Sequence, residues 1–339
     1  MDIQPNPSSV YTVPPDPAAE RKYFLKQWRK TVSKCAFLLV ALWVTAELFA
    51  YGIYFVLQAV AALNGGTLPL SEGMTTFLQS YLPYVLSDLF AVGLGLVLFR
   101  VKLRQERFAP PQGNKQFWCT GIWTGMAAGS VGSRLYTALY LLIVFAGLEF
   151  NVPDMSDPRD SLAATILCTL YTCLFAPVFE EILMRGIVLK AMQPFGEMTA
   201  IIVSSVLFGM MHMNPMQFPG AACIGLLLGY LTVRTKSLIP AILAHIINNT
   251  LVTLPTLFVE DTSWIAVGWD YLVLLVSVLL MILFVLRYGR GFTTLLKQEN
   301  TSLVQVGQKL IHAVISPGGI VYLLCFVYSI VTFLRRFVG

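Results

Sequence analysis

The sequence predicts an all-α fold, a polytopic transmembrane helical bundle of about eight core helices plus a ninth at the C-terminus. Three observations predict it. Charged residues make up 12% of the 339 and hydrophobic residues 56%, where soluble domains carry roughly 25% charged residues. Apolar runs of near-spanning length recur at about 35–63, 76–99, 117–147, 161–192, 198–213, 218–234, 238–257, 264–286 and 317–334. A segment inside hydrocarbon must satisfy its own backbone hydrogen bonds, which runs of this length do as helices. The mean hydropathy of +0.71 agrees.

Residues 1–34 are polar and hold Pro5, Pro7, Pro14, Pro15 and Pro17. They read as a disordered cytoplasmic tail rather than a cleaved signal peptide, because the apolar run that follows is too long for an h-region. Basic residues then set the orientation. Arg21, Lys22, Lys26, Arg29, Lys30 and Lys34 precede the first run, and Arg100, Lys102, Arg104, Arg107 and Lys115 fill the second loop. Lys190, then Arg234 and Lys236, then Arg287, Arg290 and Lys297 follow the fourth, sixth and eighth runs. The alternate loops, 64–75, 148–160 and 258–263, are acidic, with a single arginine. This is the positive-inside pattern of a multi-pass cell-membrane protein with a cytoplasmic N-terminus. The organisation expected is a tail at 1–34, N-terminal spans at 35–150, a core at 161–257 and C-terminal segments at 264–339.

Residues 302–316 look amphipathic and interfacial, and Pro317-Gly318-Gly319 opens the last run. A ninth span would leave Arg335 and Arg336 outside, so a full crossing and a re-entrant hairpin both fit. Gly121, Gly125 and Gly129, and again Gly225 and Gly229, recur at four-residue spacing and predict close helix packing. Arg134, toward the outer end of the third run, is expected to snorkel. Cys35, Cys119, Cys168, Cys173, Cys223 and Cys325 lie in or beside apolar runs without a C-x-x-C, and read as small membrane-core residues. The net charge of +5 sits mainly in loops, with no basic stripe interleaved with aromatics, so the partner is the lipid bilayer and not nucleic acid.

The fourth run contains Glu180-Glu181-Ile182-Leu183-Met184-Arg185. Ionisable residues at membrane depth are costly and point to function, although a helix running out into the cytoplasm would also carry charges. On an α-helix, neighbouring residues diverge by about 100°. Glu181 and Arg185, four apart, share a face and can pair, which leaves Glu180 facing elsewhere. Glu47 and Asp88 also fall in apolar runs and read as hydrogen-bonded structural acids before ion sites.

The chain has three histidines. His212 ends Phe208-Gly209-Met210-Met211-His212, His245 opens His245-Ile246-Ile247-Asn248-Asn249, and His312 lies in the interfacial stretch. Counted inward from the basic ends at the helix rise, Glu180, His212, His245 and Asn249 lie about 10–21 Å deep, so tilt can bring them to one level. A desolvated glutamate is a competent general base for a water molecule. A histidine can orient that water or donate to a leaving amine, and histidine with asparagine can stabilise an oxyanion. No serine or cysteine nucleophile occupies a comparable motif. H-E-x-x-H is missing, so no metal cofactor is expected, although zinc held by Glu180, His212 and His245 from separate helices is the less favoured alternative.

E-E-x-x-x-R, then F-x-x-x-H, then H-x-x-x-N in this order resembles the CPBP family of intramembrane proteases, which includes the type II CAAX prenyl endopeptidases. The similar region runs from about Leu162 to Leu254, with Ser204-Ser205-Val206-Leu207-Phe208-Gly209 and Ser237-Leu238-Ile239-Pro240 inside it. The resemblance implies an intramembrane endopeptidase with a glutamate-activated water. Glu180 matches the catalytic glutamate, Glu181 and Arg185 support it, and His212, His245 and Asn249 fill the other polar positions. The expected substrate is a peptide or membrane protein, with or without a lipid group. The cavity is expected to open to the cytoplasm. Two other functions fit the pattern: a non-proteolytic bacteriocin-immunity or scaffold protein of the same fold, and a proton-coupled transporter using Glu47, Asp88 and Glu180. The transporter lacks the internal repeat such folds show.

Overall fold

The computed structural model describes residues 16–101, 108–150, 160–258 and 263–336. Its elements are α1 (Pro17–Leu63), α2 (Glu72–Phe99), α3 (Lys115–Phe145), β1 (Leu148–Phe150), α4 (Leu162–Phe195) and α5 (Glu197–Met211). Then come α6 (Phe218–Thr235), α7 (Ile239–Thr256), α8 (Trp264–Asn300), α9 (Val306–Val314), α10 (Pro317–Phe333) and β2 (Leu334–Arg336). Each of the nine apolar runs is a helix. Six, namely α1 to α4, α6 and α8, are long and apolar enough to cross a membrane, and α5 and α7 are shorter apolar helices. The protein is a multi-pass helical membrane protein.

One expectation about the N-terminal end changes. Helix α1 starts at Pro17, so residues 17–34 are not a disordered tail. Asp16 accepts a hydrogen bond from the Ala18 amide at 3.0 Å and Pro17 sits in the first turn, an N-cap followed by a proline with its φ already helical. Trp28, three turns further on, anchors the start of α1, fully buried, with Nε1 donating to the Lys309 carbonyl at 2.7 Å. Pro5, Pro7, Pro14 and Pro15 lie outside the described residues, as do Lys102, Arg104 and Arg107 of the second loop.

At the other end, the ninth run fits a crossing better than a re-entrant hairpin. Helices α9 and α10 meet at a 66° bend, capped by Ser316 Oγ, which accepts from the Gly319 amide at 3.1 Å. Helix α10 starts beside α1, where the Gly318 amide donates to Ser33 Oγ at 3.1 Å. It finishes at β2, which pairs antiparallel with β1. Ser33 and β1 lie at opposite ends of the bundle, so α10 crosses it rather than turning back.

Hydrogen bonds define those two ends. At the basic end, Ser237 Oγ donates to the Ala109 carbonyl at 2.8 Å and Arg287 donates to Gln116 at 2.6 Å. Here Glu299 also accepts from the Met198 amide and from Lys309 Nζ, at 2.8 and 2.9 Å. At the far end, the Gly73 amide donates to Asp160 at 2.8 Å and Trp269 Nε1 donates to the Leu251 carbonyl at 3.3 Å.

The core lies between these ends. Leu183, Met184, Ile187, Val188, Leu189 and Met192 of α4 are all buried, and α3 packs on α6, α7 and α8. The glycine spacing makes this possible. Gly121, Gly125 and Gly129 face Leu231, Ala244 and Asn248, and Gly225 faces Ser205, all so closely that a side chain would crowd its neighbour, while Gly229 faces Ile201 at ordinary contact distance.

Candidate active site

Helix α4 is not a regular α-helix. Glu180 and Glu181 end a short α-helical stretch, Ala176–Glu181, between π-helical stretches at Tyr171–Phe175 and Ile182–Leu189. Pro177 explains the first. It cannot donate a hydrogen bond, and its ring crowds the carbonyl four residues back, so the preceding turn widens. In a π turn the Thr172 carbonyl would look to residue 177, which has no N–H to give. Asn249 Nδ2 of α7 supplies the bond instead, at 3.1 Å. The chain irregularity thus fixes α7 against α4.

Glu181 and Arg185 pair as their spacing predicts, with Arg185 Nη1 donating to Glu181 Oε1 at 2.9 Å and side chains 1% and 0% exposed. The guanidinium also donates to the Gly225 carbonyl at 3.2 Å and lies 4.4 Å from the centre of the Phe208 ring. Arg185 therefore ties α4 to α5 and α6.

Glu180 does not face elsewhere. His245 reaches both glutamates: Nδ1 lies 3.0 Å from Glu181 Oε1, and Nε2 lies 3.6 Å from Glu180 Oε2. The expected 100° divergence still holds at the helix surface, but a residue on a facing helix that bisects that angle is within reach of two long side chains. The 3.6 Å contact is an ion-pair distance and not a hydrogen bond. Accordingly, Glu180 Oε2 is buried and makes no hydrogen bond. Since Glu181 can only accept, Nδ1 carries the proton of the 3.0 Å bond, which turns Nε2 toward Glu180.

His212 stands one contact away. Its Nδ1 lies 3.0 Å from the Phe208 carbonyl, so Nδ1 donates and the neutral ring keeps Nε2 as an acceptor. The Phe208 ring is edge-on to His212 and His245, at 5.3 and 5.6 Å between centroids. The phenylalanine of the F-x-x-x-H spacing is thus the spacer between two histidines and the platform for an arginine.

A cavity of about 430 Å³ reaches His212, His245, Asn248 and Asn249. His245, 4% exposed, is at its buried end. Arg134, Gln217, Val252, Trp269 and Asp270 are exposed on its walls and rim. Glu180 does not line it; His245, which does, lies 3.6 Å from Glu180 Oε2. The mouth lies among the second halves of α3 and α7 and the first turns of α6 and α8, away from the basic end. This differs from the expectation of an opening at the basic end: helix depth alone gave a shorter path from there, but the buried Leu183, Met184, Ile187, Val188, Leu189 and Met192 fill that side.

Residues 162–251 match the profile of the family described as type II CAAX prenyl endopeptidase Rce1-like. That segment is similar to the CAAX proteases. The CAAX-protease segment covers about a quarter of the chain and contains Glu180, Glu181, Arg185, His212, His245 and Asn249. Comparison with curated proteins and with solved structures gives no match.

Outside the CAAX-protease segment, α3 and α8 complete the cavity wall with Ser130, Arg134, Trp269 and Asp270. Sequence reasoning missed Ser130, Trp269, Asp270 and Asn248 as site residues. Asn248 had a signal, since it adjoins Asn249 and donates to it at 3.1 Å. Asp88 is buried and accepts from Tyr171 Oη at 2.8 Å, a structural acid as expected. Glu47 is exposed on α1, where burial was expected; its apolar neighbours fit a lipid-facing surface as well as a core. His312 lies on α9, away from the site. Among the described residues no group of three or more His, Cys, Asp or Glu side chains is arranged to hold a metal ion, and all six cysteines are free thiols.

Proposed function

We propose that this chain, similar over residues 162–251 to a protease family, is an intramembrane endopeptidase in which Glu180 activates the hydrolytic water. The observation that carries the reading is His245 seated between two glutamates, one locked by Arg185 and the other with an unpartnered buried oxygen. The two carboxylates have separate tasks. Glu181 holds the imidazole by Nδ1, and Glu180 keeps a free acceptor beside Nε2.

Glu180 takes a proton from water as the hydroxyl adds to the scissile carbonyl. The oxyanion is stabilised by donors in the cavity, with His212 when protonated and the Asn248 and Asn249 amides as candidates. The C–N bond then breaks, and the proton returns from Glu180, directly or through His245 Nε2, to the leaving amine. No step uses a metal. The N-terminus is proposed to be cytoplasmic, and the substrate is a peptide or membrane protein entering from the cavity mouth.

Comparing membrane proteomes of cells carrying wild-type protein and Glu180→Ala tests the reading. Accumulation of uncleaved forms of particular membrane proteins in the variant is expected. Identical cleavage patterns would favour a scaffold of the same fold.

A further inference from the structure

Basic side chains from three helices converge on a second cavity, of about 590 Å³, at the basic end of the bundle. Lys34 precedes the apolar run of α1, Arg100 follows that of α2, and Lys190 follows that of α4. All three therefore stand where the apolar core gives way to water. Leu98, Phe99 and Pro194 add an apolar wall. Among the described residues the lining holds no Asp or Glu, and Lys34 and Arg100 make no ion pair.

The backbone at Arg100 is a second observation. Arg100 is the first residue past α2, with φ 51° and ψ 34°, the left-handed conformation that favours glycine or asparagine. The Val101 amide donates to the Leu96 carbonyl at 3.1 Å and the Arg100 amide to the Val97 carbonyl at 3.3 Å, which closes a Schellman turn. Glycine would close the same turn with less strain. The turn itself does not call for an arginine, whose side chain lines the cavity. Lys236 ends α6 in the same conformation, φ 54°, at the same end of the bundle but outside this lining.

We propose that this cavity binds the headgroup of an anionic phospholipid, its phosphate held by Lys34, Arg100 and Lys190. A guanidinium meets a phosphate through paired hydrogen bonds, and a lysine meets it as a point charge. Basic pockets between membrane helices hold anionic headgroups in this way. Long basic side chains reach that level with their stems along apolar surface. The apolar wall favours a lipid over a free phosphate, since it continues toward the apolar runs of α2 and α4, where acyl chains lie. The site is separate from the cavity at His245 and does not rest on the endopeptidase reading. Lys190 closes the helix that carries Glu180, so an occupied site would brace that helix against α1 and α2.

The test follows thermal melting of purified full-length protein in a neutral detergent, titrated with phosphatidylglycerol, with phosphatidylcholine of the same acyl chains, or with inorganic phosphate. Phosphatidylglycerol is expected to raise the melting temperature to a plateau, and the other two to leave it unmoved. Without lipid, Arg100→Gly is expected to melt no lower than wild type, because glycine relaxes the left-handed turn. It should need about tenfold more phosphatidylglycerol for half the rise, the loss of one charge-assisted contact. Lys236→Gly removes a like charge from a like conformation and is expected to keep the wild-type curve. An unmoved wild type, an equal rise with phosphatidylcholine, or Arg100→Gly indistinguishable from Lys236→Gly overturns the site. A full rise with inorganic phosphate overturns the lipid and puts a soluble anion in its place.

Discussion

His245 Nδ1 and Glu181 Oε1 are 3.0 Å apart, and the same carboxylate oxygen accepts from Arg185 Nη1 at 2.9 Å. One atom thus receives a proton donor from α7 and a cation from its own helix, and the Arg185 guanidinium continues the chain to Gly225 on α6. Fixing the imidazole orients Nε2, so the Glu181–Arg185 pair is a positioning device for the Glu180–His245 contact.

Arg185→Ala should therefore lower both stability and activity. Removing one partner strands the Glu181 carboxylate, which is 0% exposed, and loss of one member of a buried pair costs roughly 3–5 kcal/mol. The loss of the guanidinium's contact with Phe208 adds to it. Thermal melting of the purified variant checks this. Melting equal to wild type would show that the pair does not hold the helices together.

The cavity mouth and the basic loops should label from opposite sides of the membrane. On a background lacking the six native cysteines, Gln217→Cys marks the mouth and Lys236→Cys the basic end. The charge bias predicts that Lys236→Cys reacts with an impermeant thiol reagent only in inside-out vesicles, and Gln217→Cys only in intact cells. The reverse pattern would put the mouth in the cytoplasm. Labelling of both from one side would contradict the bundle geometry.

A metal-free reaction predicts that dialysis against a chelator leaves kcat unchanged and that the active protein holds no stoichiometric zinc. Elemental analysis together with activity before and after dialysis checks this. Zinc at one per chain, with activity lost on removal and restored on return, would replace Glu180 as the activator of water.

The helices were legible because a membrane span must be an apolar run, and all nine runs satisfied that local rule. The Glu181–Arg185 pair was legible for the same reason, since four-residue spacing is a property of one helix. What was lost depends on neighbours or on departures from the α-helix. A regular helix sends Glu180 away from Glu181, and only the position of His245 on α7 reveals that both converge on it. Pro177 was visible, but its consequence, a free Thr172 carbonyl bonded by Asn249, requires the facing helix. Arg134 looked like a boundary residue until α6, α7 and α8 closed a cavity around it. The Asp16-Pro17 cap was readable and was masked by the other prolines of the tail.

The most direct test of the central claim is the turnover of purified Glu180→Gln protein on a peptide that wild type cleaves, with melting measured on the same sample. Glutamine keeps the size of the side chain and removes its capacity as a base. A fall in kcat of about 10²–10⁴-fold or more is predicted, the range a positioned general base contributes, with melting close to wild type. A folded Glu180→Gln protein turning over at the wild-type rate would show that Glu180 does not activate the water.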